Sequence, residues 1–335
     1  MDFFSDAIER LFAAKSTPQQ IRAIEGGGSA VSLWREIHES GFADALVGET
    51  QGGAGLGLAD VFGVLLACGG HALPVPLALT MLARAALAEA GQVIPDGPIT
   101  VATAAVETPD GGLECPHVAY ARVSESVLVI LKGTCTLLAI GGATLTPTGV
   151  HGSLAGDLRW TPRPSGSACF VSPLDWQAAG ACLFATHLAG AMERIFASTV
   201  RYANERSQFG RQIGKFQAVQ QQISVMAELV SAARMAAQMG CSATSYAPDP
   251  LFAAVAKART SEAVVAIAAI AHAVHGAIGI TEEYDLQLYT RRLHEWRTAF
   301  GSETYWNRRI GDSLLRDETR TSLTFIRERL FPRTV

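Results

Sequence analysis

Charged side chains are scarce: Asp, Glu, Lys and Arg together make up 17% of 335 residues, for a net charge of −4. No run of Lys or Arg occurs, so the chain offers no basic footprint for nucleic acid or for an anionic membrane surface. Metal-ligand spacing is missing as well. The cysteines Cys68, Cys115, Cys135, Cys169, Cys182 and Cys241 never fall as C-x-x-C. That pattern excludes a zinc ribbon and suits reduced, buried thiols in a cytoplasm better than a disulfide framework. The most apolar run, Ala263 to Val274, is shorter than the ~20 residues that a bilayer crossing needs. The amphipathic, acid-bearing N-terminal segment reads as neither a signal nor a transit peptide.

What is present is apolar mass, 49% of the chain, enough for a large core and an extensive interface. Helical periodicity runs from the N-terminus to about Glu89 and breaks at Gly52-Gly53-Ala-Gly55-Leu-Gly57, which glycine density makes a loop. No strand precedes that loop, so it does not read as a dinucleotide motif. Composition shifts at Pro95–Pro98. From Ile99 to Ser172 short β-rich runs (Ile99–Val106, His117–Val123, Ser126–Leu131, Thr134–Ile140, Ala168–Ser172) alternate with Gly, Pro and Thr, as in a small antiparallel sheet or barrel. Long helices are then expected over Trp176–Glu205, Phe216–Met239 and Pro250–His275, with small residues that permit the close packing of a bundle. The expected organisation is a helical domain over 1–96, a reduced β-domain over 97–173 and a helical bundle over 174–335.

Between the first two long helices lies a polar, Gly-punctuated stretch, Arg201 to Gln222. It carries Arg206, Phe209, Gly210, Arg211 and Gly214. An Arg at a helix end and free N–H groups at the next helix start are donors suited to an anion such as a pyrophosphate, though a solvated helix–helix connection is the blander account. The order Arg206-x-x-Phe209-Gly210-x-x-Ile213-x-x-Phe216-Gln217-x-x-Gln220 resembles the signature of acyl-CoA dehydrogenases, flavoenzymes that desaturate acyl thioesters. The resemblance implies a mainly α fold with a small β-domain: an N-terminal helical domain, a central antiparallel β-domain and a C-terminal four-helix bundle. It also implies FAD, with Arg206 on the pyrophosphate and Gln208, Phe209, Ile213, Phe216 and Gln217 around the nucleotide at a subunit interface. By the same resemblance the glycine loop at 52–57 is mainly structural.

A second stretch, His275-Gly276-Ala277-Ile278-Gly279-Ile-Thr281-Glu282, is similar to the family's Q-x-H-G-G-x-G run, which reaches a neighbouring subunit's flavin. Gly276 and Gly279 match it, whereas Ala273 and Ala277 replace a Gln and a Gly. The family's flavin-facing T-E-P-x-x-G-S-D motif is echoed only by Glu107 and Pro109. Further on, Phe300-Gly301-Ser302 stands where the family carries its E-G-T base motif, with Ser302 keeping the hydroxyl. The alternative base position of a minority of members falls at Gly180, beside Ala181. Neither Phe300 nor Gly180 can take a proton, and Glu303 and Glu295 are the remaining candidates. His272, His275 and His294 straddle a helix break without ligand geometry, and no metal is expected.

Three readings are open. In the first, the chain is the degenerate subunit of a heteromeric, steroid-type acyl-CoA dehydrogenase, sharing FAD with a homologous partner that supplies the Glu. In the second it is a self-sufficient homo-oligomer with a relocated base. In the third it is a non-catalytic scaffold subunit. The first two imply an acyl-CoA substrate and an electron-transferring flavoprotein as acceptor. The acyl chain itself is not legible.

Overall fold

The computed structural model describes residues 3–316 and 321–330. An N-terminal helical layer comprises α1 (Phe3–Lys15), α2 (Pro18–Glu25), α3 (Val31–Glu39), α4 (Phe62–Gly70) and α5 (Leu77–Glu89). Thr17 starts α2 by accepting the Gln20 N–H, with Pro18 in the first turn where its missing N–H costs nothing. The glycine loop at 52–57 is built into the packing. Leu58 N donates to Ser245 O and Ala59 N to Ala243 O, both at 3.0 Å. A Cβ at Gly57 would lie 2.4 Å from the Thr244 carbonyl carbon, so close backbone approach accounts for that glycine.

Eight strands come next: β1 (Ile99–Ala102), β2 (Val106–Glu107), β3 (Leu113–Val118), β4 (Ser126–Leu131), β5 (Thr134–Ala139), β6 (Thr144–Pro147), β7 (Gly156–Trp160) and β8 (Ala168–Val171). They form two four-stranded sheets, β1-β4-β5-β8 and β2-β3-β7-β6. The expected antiparallel sheet is therefore two sheets, one of them mixed. β1 runs parallel to β4 because the chain between them leaves to build β2 and β3 in the other sheet and returns by a crossover. The run expected as a strand over His117–Val123 is instead the end of β3 followed by a 3-10 turn over Ala121–Val123. Strands β6 and β7 carry too few consecutive β-formers to stand out in the sequence.

Sequence explains the layering. Val127 and Val129 of β4 and Leu138 of β5 pack with Leu113, Cys115, Leu158 and Trp160 between the sheets. The alternating residues Leu128, Cys135 and Leu137, with Ile99 and Val101, face the helices. β4 is thus buried on both faces, which is why Ser126–Leu131 reads as an unbroken apolar run and not an alternation.

The C-terminal bundle is α6 (Trp176–Glu205), α7 (Gln217–Gly240), α8 (Pro250–His275), α9 (Leu286–Thr298) and α10 (Glu303–Leu315), with a short α11 (Ser322–Phe325) beyond. Between α6 and α7 lies a hairpin of β9 (Ser207–Gln208) and β10 (Arg211–Gln212). Glycines bring helices together: a Cβ at Gly69 would sit 2.0 Å from His187 O, and one at Gly190 2.0 Å from Leu66 O. Backbone contact at those two points locks α4 across α6. α8 with the turn after it is long and apolar enough by composition to cross a membrane, a length not apparent from Ala263–Val274 alone. Here it packs against α6, α7 and α10.

Candidate functional site

The Arg206 stretch is not a plain connection. It is a two-residue β-hairpin whose turn residues Phe209 (φ 52°) and Gly210 (φ 79°) are both left-handed, as a type I′ turn requires. Gly suits this at the second position; Phe at the first is strained and 91% exposed. The hairpin base is anchored by Ile213, packed with Ala203 and Val274, and Phe216 packs beside them. Arg211 lies over the Phe216 ring at 4.1 Å, and Phe209 meets the same ring edge-on at 6.3 Å. Arg206, Gln208 and Gln217 are exposed, and the Arg206 guanidinium has no ion pair among the described residues.

Two aromatic contacts join this hairpin to the second glycine stretch. Tyr202, in the last turn of α6, stacks on His275 at 4.5 Å, and His275 meets Tyr284 at 5.2 Å. Gly276 ends α8 at φ 65°, ψ −147°, a region open to Gly alone. Gly279 is held by packing, since a Cβ there would lie 3.0 Å from His275 Cβ and 3.1 Å from Leu286 Cδ2. Ile278 and Ile280 point outward. The two motifs, some seventy residues apart in sequence, thus share one outer face bearing an exposed aromatic, the exposed cations Arg206 and Arg211, and the exposed backbone of Gly276. These groups fit a nucleotide diphosphate.

Ser302 and Phe300 lie elsewhere. A cavity of about 710 Å³ opens between the β-sheets and α9, within the range of small-molecule sites. Its walls include Val101 to Ala104 at the end of β1, Pro116 to Tyr120 at the end of β3, the β6–β7 connection between Thr148 and Ala155, and residues of α9 and the loop after it between Thr290 and Gly301. Thr103 reaches it and donates to Gln177 Oε1 at 2.6 Å. Glu107, matched by sequence to a flavin-facing motif, does not: it sits on exposed β2, ion-paired to Lys132 and Arg163. The cavity-facing stretch from this part of the chain is Thr103-Ala104, four residues earlier, a shift hidden by the β2–β3 hairpin.

At the cavity floor, Phe300 (φ 54°) stacks near Phe184 at 5.4 Å, with Trp296 and Tyr120 beside it. Its ring covers Gly180. Of the two remaining acids, Glu295 lines the cavity, but its carboxylate accepts from Arg292 at 2.6 Å and from Ser153 Oγ at 2.8 Å. Glu303 lies outside the cavity lining at the start of α10. The hydrogen bond from Arg297 holds its carboxyl below the usual range, against the effect of burial. Ser302 is the residue before α10 and its side chain makes no cap. Glu193 is ion-paired to Arg234. His272, at the cavity edge, is bonded to Thr290 at 3.1 Å, and burial followed by the proximity of His294 keeps it below its ordinary pKa.

Sequence reasoning missed a buried ion network that carries one wall. Glu25, at the end of α2, accepts from Arg291 at 2.7 Å and from Arg292 at 2.8 Å. Arg291 also donates to His151 O at 2.8 Å, and Arg122 to Ser153 O at 2.6 Å, so guanidinium groups hold the β6–β7 connection over the cavity. The Arg291-Arg292 pair was the visible signal; its partner 266 residues away was not.

Residues 173–315 match the model of the acyl-CoA dehydrogenase C-terminal domain. Over 302 residues, 86% of the chain, it is 32% identical to "Acyl-CoA dehydrogenase IpdE2" of Mycobacterium tuberculosis and spans 89% of that protein. Among solved structures it resembles the ChsE4-ChsE5 complex of M. tuberculosis, with TM-score 0.77 and 25% identity over 93% of this chain and 96% of that one. It is similar too to the "Tcur3481-Tcur3483 steroid ACAD G363A variant", with TM-score 0.80 and 25% identity over 94% and 98%. Butyryl-CoA dehydrogenase of Megasphaera elsdenii shares the fold at 18% identity, TM-score 0.75, over 94% of this chain and 99% of that one. With its helical layer, paired β-sheets and helical bundle, this chain belongs to the acyl-CoA dehydrogenase family, oxidoreductases acting on acyl-CoA CH–CH bonds.

Proposed function

We propose that this chain is one subunit of an FAD-dependent acyl-CoA dehydrogenase and shares its flavin with a homologous partner that supplies the proton-abstracting carboxylate. The observation that carries this reading is a separation. The nucleotide-type face, with Arg206, Phe209 and Gly276, is turned outward, while the wall where the family's base belongs is filled by Phe300 lying on Gly180. An exposed aromatic at a strained turn has a purpose when another chain presents a nucleotide to it.

In this reading Arg206 pairs with the pyrophosphate, Phe209 and Ile213 bound the nucleotide, Gln208, Phe216 and Gln217 lie around it, and Gly276 brings backbone to it with Gly279 packed behind. When bound, FAD accepts a hydride from the acyl β-carbon as a base takes the α-proton. The cavity between the sheets and α9 shapes the acyl or ring pocket, with the Thr103 hydroxyl, its proton given to Gln177, at one wall and Phe300, Trp296 and Tyr120 as an apolar floor. The heteromeric complex and the steroid enzyme among the structural relatives support a two-chain assembly and a bulky, fused-ring acyl-CoA. An electron-transferring flavoprotein is the proposed acceptor.

A self-sufficient homo-oligomer is the second reading, favoured by one observation: Glu295 does border the cavity. Against it, both of that carboxylate's oxygens are engaged by Arg292 and Ser153. Co-expression with a homologous acyl-CoA dehydrogenase chain from the same genome, then gel filtration and a visible spectrum, decides between them. A yellow mixed complex, with this chain alone colourless, supports sharing. A yellow homo-oligomer bleached by an acyl-CoA overturns it.

A further inference from the structure

Lys257, in α8, is a fully buried cation with no carboxylate in hydrogen-bond reach among the described residues. Its Nζ donates to Trp296 O at 2.7 Å, to Arg297 O at 2.8 Å and to Ser261 Oγ at 3.2 Å. An ammonium has three N–H donors, and three acceptors meet them. The two carbonyls belong to the last turn of α9, where C=O groups lack partners within the helix and a positive charge is favoured. A buried charge is costly to desolvate, and an apolar side chain of similar length would avoid that cost only by leaving the Trp296 and Arg297 carbonyls without this donor.

The cavity wall continues directly from those two carbonyls. Thr298, Ala299, Phe300 and Gly301 all border the cavity, with Phe300 and Gly301 at φ 54° and 96°. The far side of this short loop is also held, by Trp306 Nε1 donating to Phe300 O at 2.9 Å. Position 300 is therefore suspended between two donors, one of them ionisable.

We propose that Lys257 is the positioning residue of the cavity wall, its ammonium fixing the end of α9 and so the placement of the side chain at position 300. The charged groups facing it are Glu303 at the start of α10 and Arg297 at the end of α9, themselves paired. Burial pushes Lys257 down to about 7, with Glu303 opposing and Arg297 adding to that shift. Below neutral pH the ammonium donates to all three acceptors; above it the two remaining N–H groups serve the two carbonyls and the amine lone pair accepts from the Ser261 hydroxyl, which turns away from Arg297 O. The wall is then pH-responsive through a residue that touches no ligand. The inference concerns this chain's own cavity and stands whether or not a flavin is shared.

The test uses the full chain, alone or in the complex it forms, labelled with 5-fluorotryptophan. Trp296 and Trp306 sit at the two ends of the loop, and Trp→Phe substitutions assign their ¹⁹F resonances. In the wild type both resonances should shift with a common midpoint near pH 7, and in Lys257→Met both should stay fixed across that range. Lys257→Gln, which keeps a neutral donor, should hold the alkaline position at every pH and serves if the Met variant does not fold. Resonances that do not move with pH in the wild type overturn the proposal. So does a titration that survives in either variant, which would belong to His272 or His294 at the cavity edge.

Discussion

The Phe300 ring lies against Gly180 so closely that a Cβ at position 180 would come within 2.2 Å of Cδ1 and 2.3 Å of Cε1. The two positions from which the resemblance expects a base are thus one contact, aromatic on one side and bare backbone on the other. Gly180→Ala should destabilise the chain by about 1–3 kcal/mol through overpacking. Phe300→Ala opens the space, so the double variant should recover part of that loss, with a coupling of about 0.5–3 kcal/mol in a denaturation cycle. Simple additivity would mean that the contact is slack. Placing Glu at 300 alone should not create a dehydrogenase, because the backbone there holds φ 54° and the carboxylate would face the Phe184 ring.

Phe209 sets stability against binding. At φ 52° it occupies a turn position that Asn or Gly adopts more readily, and its ring is almost wholly exposed. Phe209→Asn should leave stability unchanged or raise it by about 0.5–1 kcal/mol, by relief of turn strain. Flavin retained by the complex should fall at the same time. A variant that is both more stable and fully yellow would remove Phe209 from the nucleotide face.

Arg206→Ala isolates charge from fold. The side chain is exposed and carries no internal ion pair among the described residues, so the melting temperature should hold. Loss of a charge-assisted bond to a diphosphate corresponds to about tenfold or more in affinity, readable as the ratio of flavin to protein absorbance after gel filtration. Unchanged flavin content would overturn the assignment.

The helices α6 and α8 were legible to the residue, because Asp175 and Asp249 cap their starts, Gly276 stops α8 after His275 and the polar Arg206 stretch follows Glu205. The hairpin between α6 and α7 was not. Its strands are two residues each and polar, and Phe-Gly is an unusual I′ pair, so nothing in its composition separates it from a loop. Arg206, Phe209 and Gly276 could be singled out one by one, but their meeting on one face depends on Tyr202 stacking on His275, a contact that neither motif contains. The cavity was the least legible part. Its walls come from four loop-bearing segments together with Gln177 of α6 and His272 of α8, and the β1–β2 stretch that borders it is displaced from the motif match by a hairpin.

Glu25 is the keystone of a network no local pattern reveals. It is buried between Arg291 and Arg292, and Arg292 is itself 2% exposed. Glu25→Gln leaves two guanidinium groups short of a counter-charge at the junction of α2, α9 and the β6–β7 connection. A loss of about 3–5 kcal/mol is expected for breaking a buried pair from one side. Hydrogen exchange should rise over residues 148–155, where Arg291 holds the His151 carbonyl. A loss below about 1 kcal/mol would place the pair in the class of surface bridges.

His187 supplies the pH dependence. Its ring lies between Phe184 at 5.4 Å and Trp296 at 5.3 Å, behind the cavity floor, with neither nitrogen hydrogen-bonded. Burial pushes its pKa down to about 3, from an ordinary value of 6.5. In the folded chain this imidazole stays neutral where the unfolded chain has already taken up a proton. The unfolded state therefore binds more protons between those two values, and stability must fall as the pH is lowered from about 6.5 towards 3. Each pKa unit is worth about 1.4 kcal/mol, so the full window represents several kcal/mol. His187→Phe keeps an aromatic ring in the cluster, removes two unpaired polar atoms and abolishes that difference in proton uptake. Its urea midpoint should match or exceed the wild type at neutral pH and exceed it by a growing margin as the pH falls to about 4. Parallel wild-type and variant curves across that range would show that His187 finds a proton acceptor inside the fold.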